Sequence, residues 1–129
     1  PFFGDAPPLA PVGPTWELWN YEAVELFVCS AENPPQYTEI ELGPHGHHLV
    51  LRLVGIRNIV ERELPLDYRA EIHGKHWVGQ ASVPLSMLPA QSAAGWRINA
   101  THVWGPPAAR NHTTDFHRPD EFGHGYFPK

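Results

Sequence analysis

The sequence predicts an all-β protein, an antiparallel β-sandwich, and three observations carry the prediction. The 129 residues include 15 prolines and 11 glycines, a density that cuts the chain into short pieces and tells against a helical bundle. Short segments of alternating apolar and polar residues recur, and no segment sustains a helical period. Apolar residues make up 42% of the chain, with 5 Trp, 4 Tyr and 6 Phe, so a real core can be buried. The length is that of one ordinary domain. We read residues 1–129 as a single sandwich with a proline-rich lead-in at 1–15 and a loop-rich tail at 105–129.

The lead-in is extended, because proline fixes its own φ and donates no backbone hydrogen bond. Ala23–Val28 is the first expected strand, with Val24, Leu26 and Val28 on one side and Glu25 and Phe27 on the other. Asn33-Pro34-Pro35 ends it. Tyr37–Leu42 alternates again: Ile40 and Leu42 face one way, Tyr37, Glu39 and Glu41 the other. After the turn Gly43-Pro44-His45-Gly46, His48–Val54 sets Leu49, Leu51 and Leu53 on a common face. Closely spaced strands with turns between them make an antiparallel meander.

Tyr68–His73 and His76–Val83 flank Gly74-Lys75, a two-residue link suited to a tight hairpin, with Trp77, Gly79, Ala81 and Val83 on one side. Pro84–Pro89 holds one helical turn at most. Gly95–Trp104 is the last expected strand, opposing Trp96, Ile98 and Ala100 to Arg97, Asn99 and Thr101. From Gly105 onward the sequence reads as loop and tail.

Charge narrows the partners. The net charge is −5, with 11 acids and 4 bases in residues 1–72 against 3 acids and 5 bases in residues 73–129. Neither half is basic enough to neutralise a phosphate backbone and no Lys/Arg cluster exists, so nucleic acid is not an expected partner. No apolar run approaches the roughly 18 residues of a membrane span, so no membrane insertion is expected. A single cysteine, Cys29, excludes an internal disulfide and favours the cytoplasm over secretion. Two glycosylation triplets, Asn99-Ala100-Thr101 and Asn111-His112-Thr113, argue the other way.

Two stretches carry a resemblance. "ELWNYEAVELF" (17–27) followed by "YTEIELGPHGHHLVL" (37–51) resembles the β-sandwich superfamily of family-nine carbohydrate-binding modules and the haem- or sugar-binding DOMON domains. Trp77–Val83 with Pro84 and Leu88, Gly95–His102 and Asp115–Gly123 are similar to later segments of such modules. A closer match is the uncharacterised chromosome 4 open reading frame 33 protein family. It shares "PFFGDAPP", "ELWNYEAVE", "EIELGPHGHHLVL", "GIRN", "ELPL" and "DFH", spaced over nearly all 129 residues. The resemblance implies a jelly-roll-like binding module, not an enzyme.

It also implies that the family carries further strands upstream. The sandwich is therefore expected to lack its N-terminal strands, leaving an edge that an upstream segment or a protein partner completes. Phe2 and Phe3, large apolar residues where polar ones usually fray, point the same way.

Candidate ligand residues follow from the resemblance. Sugar-binding family-nine modules place a tryptophan six residues before a strand glutamate, as Trp19 stands to Glu25, and use a late-strand asparagine, matched by Asn99. Where those modules carry a second tryptophan this chain has His102, with Trp104 two residues on, which tells against a strict two-tryptophan clamp. The implied saccharide face comprises Trp19, Glu25, Arg52, Asn99, His102 and Trp104. Read from the residues alone, Trp16 and Trp19 either stack on a sugar or cap the end of the sandwich.

Other constellations point elsewhere. Glu22, Glu25, Glu39 and Glu41 form an acidic set on adjacent strands, suited to general acid–base work on a glycoside, to a solvated outer face, or to a partly buried carboxylate paired with Arg52 or Arg97. His45, His47 and His48 surround a turn, yet imidazoles make a metal site only when they converge, so no metal is expected. Asp115 and His117 imitate part of a triad without any nucleophile elbow. Met87 is the only methionine available as a haem axial ligand, and no cofactor is expected. Phe116 and Phe122 are expected to plug back onto the sandwich, with Asp115 and Arg118 fixing the tail.

Overall fold

The computed structural model describes residues 6–30, 35–91, 93, 95–106 and 108–114. Its strands are β1 (Ala23–Cys29), β2 (Gln36–Leu42), β3 (His48–Val54), β4 (Ile59–Glu61), β5 (Asp67–His73), β6 (His76–Ser82), β7 (Arg97–Trp104) and β8 (Asn111–Thr114). They form a six-stranded sheet in the order β4-β3-β2-β1-β7-β8 and a two-stranded sheet, β5-β6. All strand pairs are antiparallel. The fold is all-β and sandwich-like, as expected, and the meander β1-β2-β3 and the β5-β6 hairpin stand where the alternation put them. Gly74 opens the hairpin turn at φ 61, a conformation that glycine adopts without a Cβ clash.

Two strands correct the sequence reading. The chain after Gly105 is not all loop: β8 pairs with β7, Trp104 opposite Asn111. Arg110 holds its start by donating to the carbonyls of Gly105 and Asn20. β4 was not expected either. It joins β3 through a bulge at Arg52/Leu53 and is exposed along its length. The described part of the lead-in, residues 6–15, is non-helical, and one part of it pairs: Thr15 N–H donates to the His48 carbonyl and His48 N–H to that of Gly13.

The central strands β1–β3 of the large sheet are buried on both faces. One face packs Ile40, Val50, Leu26 and Leu42 against Leu64, Leu66, Tyr68, Ala81, Val83, Met87 and Leu88 of the hairpin and its flanks; we call it the hairpin face. Leu85–Met87 forms the expected single turn, and Thr38 on β2 donates to the Met87 carbonyl. The Tyr68 ring lies across Gly79, where an added Cβ would stand 2.6 Å from its hydroxyl, and that hydroxyl donates to the Gly43 carbonyl. Glycine at 79 is what lets the hairpin lie flat on the sheet.

The opposite face holds Ala23, Phe27, Cys29, Tyr37, Leu49, Leu51 and Leu53, with Leu18, Trp16 and Tyr21 packed at one end. Burying both faces explains why the burial of β1–β3 runs nearly unbroken instead of alternating. Phe2, Phe3, Asp115, Phe116, Arg118 and Phe122, for which the sequence carries expectations, lie outside the described residues.

Candidate functional site

Register brings three glutamates together on the second face, which we call the acidic face. Glu25 pairs across β1 and β2 with Glu41, and Phe27 pairs with Glu39. Each of Glu25, Glu39 and Glu41 offers a carboxylate oxygen within 4.8 Å of the others. They are 6%, 3% and 0% exposed, so the alternative of a solvated outer face does not hold for them. On the β7 side, Thr101 donates a 2.6 Å hydrogen bond to Glu25 Oε2, and Asn99 is buried next to Phe27 in register. No described donor outside the carboxylate cluster hydrogen-bonds either oxygen of Glu41.

Burial raises all three carboxyls above their ordinary pKa. For Glu25 the Thr101 hydroxyl works against that rise. Glu39 is pushed up to about 7, by burial first, with Glu25 adding to the rise. Glu41 is raised further, by burial and then by the charge of Glu39. Ionised carboxylates crowded in a low-dielectric site repel one another, so the cluster favours whatever neutralises it, protons or a cation.

Glu22 departs from the other acids. It lies on the hairpin face, fully buried, where Trp77 Nε1 donates to its Oε1 at 3.2 Å and His102 Nε2 stands 3.3 Å from the same oxygen. His102 stacks on Trp104 with ring centroids 6.4 Å apart. Burial lowers the pKa of His102, while Glu22 opposes that shift. Trp77 on β6, Glu22 before β1 and His102 on β7 thus tie the hairpin to the sheet.

The six expected ligand residues are consequently divided. Glu25 and Asn99 lie on the acidic face. Arg52, His102 and Trp104 lie on the hairpin side of the sheet, and Arg52 forms an exposed 3.2 Å ion pair with Glu61 of β4. Trp19 belongs to a short 3-10 turn, Leu18–Asn20, is 37% exposed and meets the edge of Trp16 at 5.0 Å. Trp16 packs on the acidic-face core and carries the Arg62 guanidinium 4.3 Å above its ring. The histidine turn does not converge: His47 Nε2 bonds the Ala10 carbonyl, while His48 meets the edge of Tyr68. Among the described residues the glutamate trio is the only group with metal-ligating spacing.

Thr101 and the Glu22–Trp77 bond escaped the sequence reading. Thr101 shares a face with Asn99 by simple alternation, a signal that was available. The Trp77 contact needed the hairpin's position, which no local pattern encodes.

Comparison with known proteins gives the lineage. No protein-family model matches the chain, and no solved structure does. It is 50% identical to the mouse UPF0462 protein C4orf33 homolog over 91 residues, covering 69% of this chain and 47% of that protein. It is 38% identical to the rat homolog over 141 aligned residues, covering 95% and 68%. The human UPF0462 protein C4orf33 is 48% identical over 93 residues, covering 69% and 45%. The chain thus spans about half to two thirds of the length of the curated relatives it matches. By this similarity the chain belongs to the UPF0462 C4orf33 protein family.

Proposed function

We propose that the domain is a non-catalytic binding module and that it holds a saccharide on the acidic face. The supporting observation is the set Glu25, Asn99 and Thr101, buried in a wall otherwise built from Phe27, Tyr37, Leu49 and Leu51. Packing alone favours apolar side chains there, whereas a carboxylate, an amide and a hydroxyl are the groups that read sugar hydroxyls. Trp19 is a part-exposed aromatic at the Leu18 end of that core, able to stack on a sugar ring. The likeness to family-nine modules supports the same ligand class. The lone, buried Cys29 supports a cytoplasmic setting.

Calorimetric titration of mono- and oligosaccharides tests the reading. The wild type binds one of them, and Trp19→Ala and Glu25→Gln abolish binding, the first with little change in melting midpoint. Absence of saccharide binding overturns it. So does a Trp19→Ala loss of about 3–5 kcal/mol, the mark of a truncated core aromatic.

A second reading is a structural subunit docked in a larger assembly, without a small ligand. What favours it is the inequality of the sheets: two strands face six. Among the described residues no strand flanks the β5-β6 hairpin, and Ile98 on β7 is 46% exposed. A partner strand, or an upstream segment, would complete such an edge. Amide exchange distinguishes the two, since a purified chain that is monomeric with unprotected hairpin edges tells against an intrachain completion.

A further inference from the structure

We propose that the acidic face binds a hard divalent cation, calcium in the first place, between Glu25, Glu39 and Glu41. The proposal rests on reading that face as a binding face, and it names the first ligand held there. Three observations lead to it. The three carboxylates come from two adjacent strands and converge with oxygens within 4.8 Å of one another. Calcium is commonly held by protein carboxylates, whereas magnesium keeps several of its waters and uses one or two carboxylates, so a trio of carboxylates suits calcium first.

The donor set is all oxygen. Carboxylates with a hydroxyl beside them suit hard cations, while the softer metals prefer imidazole and thiolate. The sheet presents none of its histidines to this cluster among the described residues.

Glu41 supplies the independent observation. It is 0% exposed, and no described donor outside the cluster reaches either of its oxygens. A buried carboxylate in that position is costly unless something meets its lone pairs. A cation among the three meets them all at once and cancels their mutual repulsion. Thr101, bonded to Glu25 Oε2, then fixes the orientation of one ligand, as outer partners of metal sites commonly do.

The test uses the full chain after chelator treatment and dialysis. Calorimetric titration with calcium chloride, and with magnesium and manganese chlorides, is paired with elemental analysis and melting curves. Calcium binds with a stoichiometry of one and raises the melting midpoint by several degrees. Glu41→Gln keeps the circular dichroism of the wild type and loses more than about 100-fold in calcium affinity, since even an outer-shell partner is worth 10–100-fold. Should Glu41→Gln fail to fold, Glu25→Gln is read the same way, and the wild-type stoichiometry decides by itself. No calcium uptake at millimolar concentration overturns the proposal, protons alone then neutralising the cluster. Unchanged calcium affinity in both variants also overturns it. Saccharide titrations with and without chelator separate the two readings: sugar binding that persists in chelator without calcium uptake sinks only the cation site, and calcium uptake without sugar binding sinks only the saccharide.

Discussion

Ile40 and Glu41 are neighbours on β2 and opposites in chemistry. Ile40 faces the hairpin and joins Val50 and Leu66 in an apolar cluster; Glu41 faces the other way into a nest of carboxyl groups. Both are essentially inaccessible to water. On the hairpin face Leu26, Ile40, Leu42 and Val50 of the sheet meet apolar partners from Leu64–Val83 and Met87–Leu88. Two of its buried polar groups are also met, Glu22 by Trp77 and His102, and the Tyr68 hydroxyl by Gly43. The acidic face sets ionisable groups where leucine would pack. The two faces of one sheet thus differ in how their buried groups are met.

The comparison breaks first on its strongest term. Ile40→Ala removes buried methyl and methylene groups from a face with no compensating partner. It should lower unfolding free energy by about 2–5 kcal/mol in denaturant titrations. A loss below about 1 kcal/mol would mean the hairpin does not pack on the sheet as described.

Glu41→Gln, one residue along, should act with the opposite sign in chelator-treated protein. A carboxyl whose native pKa lies above its ordinary 4.5 keeps a proton that the unfolded chain has released. The native state then binds more protons than the unfolded state, so stability falls as pH rises from about 4.5, through about 7 for Glu39 and on toward about 11 for Glu41. Glutamine cannot ionise. The variant should therefore show a shallower decline and be more stable at pH 8, by on the order of 1 kcal/mol. A wild type whose stability rises over that range would refute the buried-acid account.

The smallest effect is a slope of the other sign from the hairpin side. His102 has a native pKa below its ordinary 6.5, so the unfolded state takes up its proton first and stability is lost as pH falls below that value. Its full contribution is present above pH 6.5. Glu22 and Trp104 meet the ring, and the N-terminal charge adds to the fall that burial causes while Glu22 opposes it. His102→Asn should flatten stability below pH 6.5 without touching the decline caused by the acidic face. A steeper slope in the variant would show that Glu22 stabilises the imidazolium more than burial disfavours it.

These contrasts also mark how far the sequence could be read. Val24-Glu25-Leu26-Phe27 and Glu39-Ile40-Glu41 announce strands by their period and sort residues to faces. Ile59–Glu61 is too short for a period, and Asn111-His112-Thr113-Thr114 is polar throughout, so both entered the sheet unannounced; pairing with a neighbour makes them strands. Alternation cannot say whether the second face is wet. It placed Glu25, Glu39 and Glu41 together, yet their burial depends on tertiary packing. The divided ligand set follows a plainer rule: Asn99 and His102 are three apart on a regular strand, and odd spacing turns side chains to opposite faces. A spacing borrowed from a resemblance carried no such geometry.

The Thr101–Glu25 hydrogen bond joins residues 76 positions apart, across the only seam among the described residues where the large sheet pairs strands distant in sequence, β1 with β7. Every other pairing closes a short connection. A saccharide read by Glu25, Asn99 and Thr101 would touch both sides of that seam and have no complete site until the seam had closed, whereas a cation between the three glutamates would lose only the support of Thr101. Occupancy by such a saccharide would be linked to the folding of the whole sheet instead of to the ordering of one loop, and a fragment ending before Arg97 would carry all three glutamates without Asn99 and Thr101.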